Sequence, residues 1–109
     1  MDFSIIIPVY NSIESLPVLL DEVRSYFMDT SYQYEIIFVN DASRQETLCA
    51  LERLKNANSQ MKIKLIHLPQ NIGQQKALAL GLIEAIGTYA LTMDDDLQHD
   101  IRALDSLLE

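Results

Sequence analysis

The sequence predicts an α/β fold in which a mainly parallel sheet of about four strands carries helices on both faces. Apolar strand-like segments alternate with amphipathic helical segments in the order β-α-β-α-β-α-β-α. The first two strand-like segments are also continuously apolar and rich in β-branched residues, which is typical of strands buried on both faces. Because parallel strands are joined by right-handed crossovers, such a chain places helices on both faces of its sheet.

The first strand is predicted over Phe3 to Val9, and the second over Glu35 to Val39. Between them, an apolar stripe with alternating spacings of three and four residues predicts a helix, namely Ile13, Leu16, Leu20, Val23 and Phe27. Asn11 or Ser12 can cap this helix, because short polar side chains accept hydrogen bonds from its first N–H groups. Pro17 then falls in the first turn, where its missing N–H costs little.

The middle of the chain predicts a second helix and a third strand. The helix is expected from about Ser43 onward, with an apolar stripe formed by Leu48, Leu51 and Leu54. The segment from Lys62 to Leu68 begins with alternating charged and apolar residues. This pattern favours a half-exposed strand at the edge of the sheet.

The third helix is predicted from Lys76 to Ile86. Gly81 interrupts it at a cost of about 1 kcal/mol relative to alanine, and close packing of the helix on the sheet is the expected reason. Gly87 has the position of a C′ residue that ends the helix. The fourth strand follows over Thr88 to Met93, and a further helical stripe begins at Ile101.

The composition limits the classes of partner. The chain has 109 residues, of which 49% are hydrophobic, so a single domain over 1–109 with a small core is expected. Its 16 acidic and 8 basic residues give a formal net charge of −8, which argues against nucleic acid or an anionic membrane as a general partner. Cys49 has no second cysteine to pair with, and no segment approaches the ~20 apolar residues of a membrane span. We therefore expect a soluble, cytoplasmic chain, which is compatible with a full-length protein at the inner face of the membrane.

Three predicted strands end in polar residues that can form a site. The first ends at Tyr10 and Asn11, the second at Asn40 and Asp41, and the fourth in three aspartates at 94–96. The carboxyl ends of parallel strands meet at one edge of the sheet, where the ligands of such folds bind. We therefore expect these residues on a common edge.

The three consecutive aspartates point to a metal. Adjacent carboxylates repel one another, and hard oxygen ligands suit Mg²⁺ or Mn²⁺. Asp94 and Asp96 are two residues apart and can point the same way at the end of a strand, so that they share one metal while Asp95 points to the other side. A solvated acidic turn or an acidic helix N-terminus explains the same residues without a metal.

Three further residues have both a functional and a structural interpretation. Asp41 can accept hydrogen bonds from a ribose or a base, or it can cap the following helix. Tyr10 can stack on a base or pack in its loop, and Lys76 can meet a phosphate near the start of the third helix or remain a solvated lysine. No glycine-rich phosphate loop is present, so neither an NAD site nor a Walker-type site is indicated.

Four segments in series resemble the inverting family 2 glycosyltransferases, in order and at familiar spacing. They are Ser4–Asn11, Val39–Ser43, Asn71–Gly73 with Ala77 and Gly81, and Met93–His99. The last segment is similar to the polyprenol-phosphate sugar transferases of the dolichol-phosphate mannose synthase type. The resemblance covers essentially the whole chain.

The resemblance implies a GT-A fold, of which this chain forms the three-layer, Rossmann-like nucleotide-binding half with strand order 3-2-1-4. It implies a nucleotide-diphosphate sugar, either a UDP- or a GDP-sugar, as donor and Mg²⁺ or Mn²⁺ as cofactor. The sugar would be transferred with inversion to an acceptor. A lipid-linked acceptor such as a polyprenyl phosphate and a cell-surface glycan both agree with it.

The resemblance also implies which residues contact the donor: Pro8, Tyr10, Asn11, Asp41, Lys76, Asp94, Asp95 and Asp96. The first three would line the base and ribose pocket, and Asp41 would bind the base. Asp94 and Asp96 would be the D-x-D pair that touches the ribose and bridges the diphosphate through the metal. Gln98 matches a further metal-side contact of the polyprenol-phosphate branch, and Lys76 matches a donor contact more loosely.

The chain departs from the family pattern in two ways. Asn40 stands where the family usually has an aspartate, which leaves Asp41 as the base contact. The family keeps its general base on a later segment, and the sequence ends at Glu109, so no catalytic residue is assigned. We therefore expect the donor-binding half of a larger enzyme, inactive by itself and prone to self-association through an unpaired sheet edge. A non-catalytic nucleotide-binding or interaction module with the same fold is the alternative.

Overall fold

The computed structural model describes residues 1–9, 14–41, 45–68, 70 and 73–92. Within these ranges, strands and helices alternate as predicted: β1 (Phe3–Val9), α1 (Leu16–Phe27), β2 (Tyr34–Asp41), α2 (Gln45–Ala57), β3 (Ile63–Leu68), α3 (Gln74–Glu84) and β4 (Tyr89–Thr92). The helical stripe predicted from Ile101 lies outside the described residues.

The four strands form one parallel sheet in the order β3-β2-β1-β4, which confirms the predicted fold class and strand order. In the middle of the sheet, Ile6 of β1 lies opposite Ile37 of β2 on one side and opposite Thr92 of β4 on the other. The chain thus moves outward from β1 to β2 and β3, and then crosses back to the far side of β1. The direction of the connections reverses between β1 and β4, and open parallel sheets bind ligands at the carboxyl ends of such a pair.

The helices α1 and α2 pack on one face of the sheet, and α3 packs on the other. The larger core joins the odd-numbered residues of β1 to the buried residues of α1 and to Leu51 of α2. The smaller core consists of Ile6, Ile37, Val39 and Ala77, the last of which lies in α3. The central strands are therefore covered on both faces, as their continuously apolar sequences predict.

Gly81 lies at a close contact between α3 and the sheet. A Cβ atom at this position would lie 2.5 Å from Cγ2 of Ile6 and 3.2 Å from Cγ2 of Val39. Side-chain carbon atoms do not approach this closely without displacement. The predicted reason for a glycine inside this helix is thus confirmed.

The prediction that Gly87 ends α3 as a C′ residue is wrong. The helix ends at Glu84, and Ala85 is its C-cap in an extended conformation. A Cβ atom on Gly87 would lie only 2.6 Å from backbone atoms of Phe3 and Ser4. The glycine is required because the chain passes the start of β1 at close range on its way into β4.

Helix starts differ from the sequence-based prediction more than helix bodies do. Helix α1 begins at Leu16, with Ser15 in the N-cap position and no capping hydrogen bond from its side chain. The prediction that Asn11 or Ser12 caps this helix is therefore wrong, and both residues lie outside the described residues. Pro17 is in the first turn, as predicted. Strand β3 is an edge strand of the sheet, also as predicted.

Candidate functional site

The structure describes three of the predicted donor-site residues, namely Pro8, Asp41 and Lys76. The others, together with the predicted metal contact Gln98, lie outside the described residues: Tyr10, Asn11, Asp94, Asp95 and Asp96. The geometry of the site is therefore built from the strand ends and the start of α3.

Pro8 and Asp41 lie on the same face at the carboxyl ends of neighbouring strands. Pro8 is paired in register with Val39, and Asp41 follows Val39 by two residues on the same strand. Because side chains alternate between the two faces of a strand, both residues point to the face that α3 covers. The sheet thus brings together two residues that are separated by more than thirty positions in the sequence.

Asp41 connects the end of β2 to the beginning of α3. Its side chain is almost fully buried, and its Oδ2 accepts a hydrogen bond from the backbone N–H of Gly73 at 3.2 Å. Gly73 is the N-cap of α3 and has a φ of 93°, a conformation that favours glycine. A carboxylate at a helix N-terminus also interacts favourably with the helix dipole. Asp41 lies four residues before Gln45, the first residue of α2, and so does not occupy the N-cap position of that helix.

Lys76 lies in the first turn of α3, at the same edge and on the same side of the sheet. Its side chain is exposed. Because α3 runs antiparallel to the strands, its N-terminus faces the carboxyl edge, and a helix N-terminus with a lysine in its first turn favours an anion. The position therefore agrees with a phosphate contact and equally with a solvated lysine.

The amide of Asn40 is held by His67 of the edge strand β3. Asn40 is buried, and its Nδ2 lies 3.2 Å from Nδ1 of His67. The other ring nitrogen, Nε2, lies 3.9 Å from a carboxylate oxygen of Glu52 in α2. His67 is exposed on the edge strand β3, and it contacts the residue next to Asp41, which only the strand register could indicate.

Strand β4 runs alongside β1 toward the carboxyl edge of the sheet, and its last residue lies opposite Ile6. It is parallel to β1 and ends at Thr92, two residues before the first of the aspartates at 94–96. The acidic segment therefore follows directly on the strand pair between which the direction of the connections reverses. Within the described ranges, no group of three His, Cys, Asp or Glu residues is arranged to hold a metal.

Sequence reasoning missed a buried polar cluster at the opposite edge of the sheet. Glu35 of β2 is fully buried, and its Oε2 accepts hydrogen bonds from the hydroxyl of Ser4 at 2.6 Å and from the backbone N–H of Ile86 at 2.9 Å. The ammonium of Lys64 lies 3.1 Å from its Oε1. The available signal was a charged residue at the start of an apolar strand, together with a serine inside another apolar strand.

The pKa of Glu35 reflects two opposing effects. Burial raises the pKa of a carboxyl group, because it disfavours the charged form. The hydrogen bonds from Ile86 and Ser4 and the ammonium of Lys64 stabilise the carboxylate and outweigh burial, so the pKa is lowered from its ordinary value of 4.5. The cluster therefore holds a charged carboxylate at neutral pH.

Comparison with known proteins gives a family match over nearly the whole chain. Residues 4–109 match the family described as glycosyl transferase family 2. The prophage bactoprenol glucosyl transferase homolog of Escherichia coli (strain K12) is 33% identical over 109 residues. The undecaprenyl-phosphate 4-deoxy-4-formamido-L-arabinose transferase of Pseudomonas fluorescens (strain SBW25) is 37% identical over 106 residues. The alignments cover 100% and 97% of this chain but 35% and 31% of these relatives, so the chain spans about a third of their length.

Solved structures share the fold. The crystal structure of S. aureus TarS 1-349 in complex with UDP-GlcNAc has a TM-score of 0.78 at 27% identity and covers 99% of this chain and 30% of that chain. The mannosyltransferase PcManGT from Pyrobaculum calidifontis, in complex with GDP-Man and Mn²⁺, has a TM-score of 0.70 at 23% identity and covers 86% of this chain and 27% of that one. The second likeness concerns the fold alone. Among the helices that the structure describes, none has the length and apolar character to cross a membrane.

Proposed function

This chain belongs to glycosyl transferase family 2, and on that premise we propose that it binds a nucleotide-diphosphate sugar at the carboxyl edge of its sheet, for transfer of the sugar with inversion. The observation that carries the proposal is the parallel pairing of β4 with β1. Strand β4 runs toward the carboxyl end of β1 and ends at Thr92, two residues before the aspartates at 94–96, and such sheets bind ligands at the carboxyl ends of this pair of strands. The family match and the TarS complexes with UDP-GlcNAc and UDP support a nucleotide sugar as the ligand.

The base and ribose would bind against Pro8, Tyr10, Asn11 and Asp41. The carboxylate of Asp41 is suited to accept an N–H of the base, because it is buried and oriented by the N–H of Gly73. A buried, oriented acceptor discriminates strongly against a base that lacks the matching donor. Lys76 would contact the diphosphate from the start of α3.

A divalent metal, Mg²⁺ or Mn²⁺, fits the donor set of the acidic segment. Asp94, Asp96 and Gln98 would hold it with carboxylate and amide oxygens, which are the ligands that these ions prefer. When bound, the metal would neutralise the diphosphate as it leaves the sugar. Asp95 would lie beside the donor as the third carboxylate of the segment.

We further propose a lipid-linked acceptor at the inner face of the membrane for the full-length protein. The names of two relatives specify bactoprenol and undecaprenyl phosphate. A polyprenyl phosphate stays in the membrane because of its long apolar chain, whereas a nucleotide sugar is water-soluble. The two substrates can therefore meet only at the membrane surface.

Binding and transfer should be separable in this chain. We expect the 109-residue chain to bind the donor and to transfer no sugar, since the general base of the family is expected on a later segment. Turnover of a nucleotide sugar by the purified chain would refute this.

Self-association through the edge strand β4 also stays a prediction, and a monomer by light scattering at high concentration would contradict it.

Calorimetric titration with UDP and with GDP, each with and without Mn²⁺, tests the proposal. One of the two nucleotides should bind, and Mn²⁺ should strengthen its binding. Asp96→Ala should abolish the Mn²⁺-dependent gain in affinity, whereas Asp29→Ala, an exposed aspartate in the turn after α1, should leave it unchanged. Binding that is insensitive to Mn²⁺ and to Asp96→Ala would instead favour the non-catalytic nucleotide-binding module, and no binding at all would overturn both.

A further inference from the structure

The amino edge of the sheet contains a carboxylate that is withdrawn from solvent, with two hydrogen bonds to its Oε2 and an ion pair to its Oε1. Both Glu35 and Ser4 have no exposed surface. They are partners in the register of β1 and β2 and point to the face that α3 covers. A charge in such a position is costly unless several polar groups compensate for it, so its partners indicate what it does.

The partners of this carboxylate come from the connection between α3 and β4. The N–H of Ile86 donates directly to Oε2 of Glu35 at 2.9 Å. The N–H of Gly87 donates at 2.8 Å to the hydroxyl oxygen of Ser4, and this hydroxyl donates to the same Oε2. The N–H groups of Ile86 and Gly87 are therefore both held by the carboxylate of Glu35, the first directly and the second through Ser4.

Lys64 adds a third attachment. Its ammonium lies 3.1 Å from Oε1 of Glu35 and donates to the carbonyl oxygen of Glu84 at 3.1 Å. Glu84 is the last residue of α3, so the lysine joins the end of that helix to the carboxylate. Residues 84, 86 and 87 are thus held at one point by side chains of β1, β2 and β3.

Strand β4 begins immediately after this point and is held on β1 by its ladder, by the stacking of Tyr89 on Phe3 and by the packing of Leu91 against the larger core. It is four residues long, and three of its residues are exposed. Its entry is set by backbone hydrogen bonds from Thr88 to Met1 at 3.2 Å and from Tyr89 to Asp2 at 2.9 Å. A slip by one residue would exchange the two faces of the strand and would move everything that follows it by more than ~3 Å.

We propose that Glu35 is a positioning residue for the acidic segment: through residues 84–87 it fixes the register of β4 against β1, and thereby the position of Thr92, from which the chain continues to the aspartates at 94–96. The proposal deepens the proposed function and rests on it for the role of those aspartates. Glu35 lies at the amino edge and so acts on the ligand site from the opposite end of the sheet. Loss of Glu35 should therefore weaken metal binding and leave the contact with the base unchanged. The base contact Asp41 is on β2 and does not depend on the position of β4.

The test compares Glu35→Ala with Glu35→Gln and Lys64→Met. For Glu35→Ala, the Mn²⁺ concentration that half-saturates nucleotide binding should rise about tenfold or more, as is typical when a residue that supports metal ligands is lost. The affinity for the same nucleotide in EDTA should stay unchanged. Glu35→Gln should keep most of the native response, since its amide oxygen can still accept from Ile86 and Ser4. Lys64→Met should give an intermediate increase.

Amide hydrogen exchange provides a readout that needs no ligand. In Glu35→Ala, protection should fall in residues 85–92 while β1 and β2 keep theirs. Leu51→Ala is the matched control, because it weakens the core on the opposite face and lies in α2, which packs against β3 at the far end of the sheet from β4. An equal rise in the Mn²⁺ requirement in Leu51→Ala, or unchanged exchange of β4 in both Glu35 variants, would overturn the proposal.

The two proposals can fail separately. If the native chain binds no nucleotide in the presence of Mn²⁺, the proposed function fails, and hydrogen exchange still decides whether Glu35 fixes β4. If Glu35→Ala does not fold, Glu35→Gln and Lys64→Met carry the test: a graded loss of β4 protection supports the proposal, and native protection in Lys64→Met overturns it.

Discussion

At the amino edge of the sheet, Glu35 and Ser4 are completely withdrawn from solvent, whereas at the carboxyl edge Pro8 is half-buried and Lys76 is exposed. The polar groups of the amino edge are engaged with strands and connections of the same chain. At the carboxyl edge, Asn40 and Asp41 are also buried and oriented by the chain, and Lys76 is exposed beside them. This difference agrees with our proposals that the carboxyl edge provides the groups that bind the donor and that the amino edge supports the structure of that site.

The comparison predicts its largest effect on stability at the amino edge. Glu35→Ala should lower the free energy of unfolding by about 3 kcal/mol, because it removes charge-assisted hydrogen bonds to buried donors and leaves a cavity beside them. Urea unfolding at neutral pH measures this. Asp29→Ala is the exposed control and should change the value by less than about 0.5 kcal/mol. A loss below about 1 kcal/mol in Glu35→Ala would mean that the cluster contributes little.

The next largest effect on stability is expected for two glycines, Gly87 near the amino edge of the sheet and Gly73 near the carboxyl edge. Gly87→Ala and Gly73→Ala should each cost about 2 kcal/mol, the first by overlap with the backbone of β1 and the second by strain at its positive φ. Their effects on binding should differ. Gly87→Ala should raise the Mn²⁺ requirement, while Gly73→Ala should weaken nucleotide binding in EDTA, because Asp41 loses its orientation. The same binding profile in both variants would contradict the division between the two edges.

A smaller effect is expected for Asp41→Asn. The amide keeps an acceptor for the N–H of Gly73, so the free energy of unfolding should change by less than about 1 kcal/mol. The affinity for the nucleotide should fall about tenfold, because a charged acceptor for the base is replaced by a neutral one. Calorimetric titration at constant Mn²⁺ concentration measures the affinity. Native affinity in this variant would remove Asp41 from the base contact.

The smallest effect is expected in the dependence of the free energy of unfolding on acidic pH. The pKa of Glu35 is lowered on folding from 4.5, so the folded state favours the carboxylate more than the unfolded state does. The resulting stability is fully present above pH 4.5 and is lost as the pH falls below that value. Between pH 7 and about pH 4, the native chain should therefore lose more free energy of unfolding than Glu35→Gln does. Equal losses in urea unfolding at the two pH values would show that Glu35 is not linked to folding in this way.

The sequence by itself determined the order of elements, the parallel sheet and the chemical types of residue at its carboxyl edge. These are local properties: runs of apolar β-branched residues, stripes with spacings of three and four, and polar residues where a strand stops. Gly81 was interpretable for the same reason, because a glycine inside an amphipathic helix indicates that a neighbouring element packs closely against it. The four segments that resemble family 2 glycosyltransferases are likewise contiguous pieces of sequence.

Only the tertiary structure decided the roles of Glu35, Ser4 and Gly87. Glu35 lies 31 residues from Ser4 and 51 from Ile86, so no local pattern relates the carboxylate to its donors. Gly87 resembled a helix end because the sequence does not show that the backbone of β1 passes beside it. A buried charge is interpretable only through its partners, and its partners are set by strand order and register, which emerge when the whole sheet has formed.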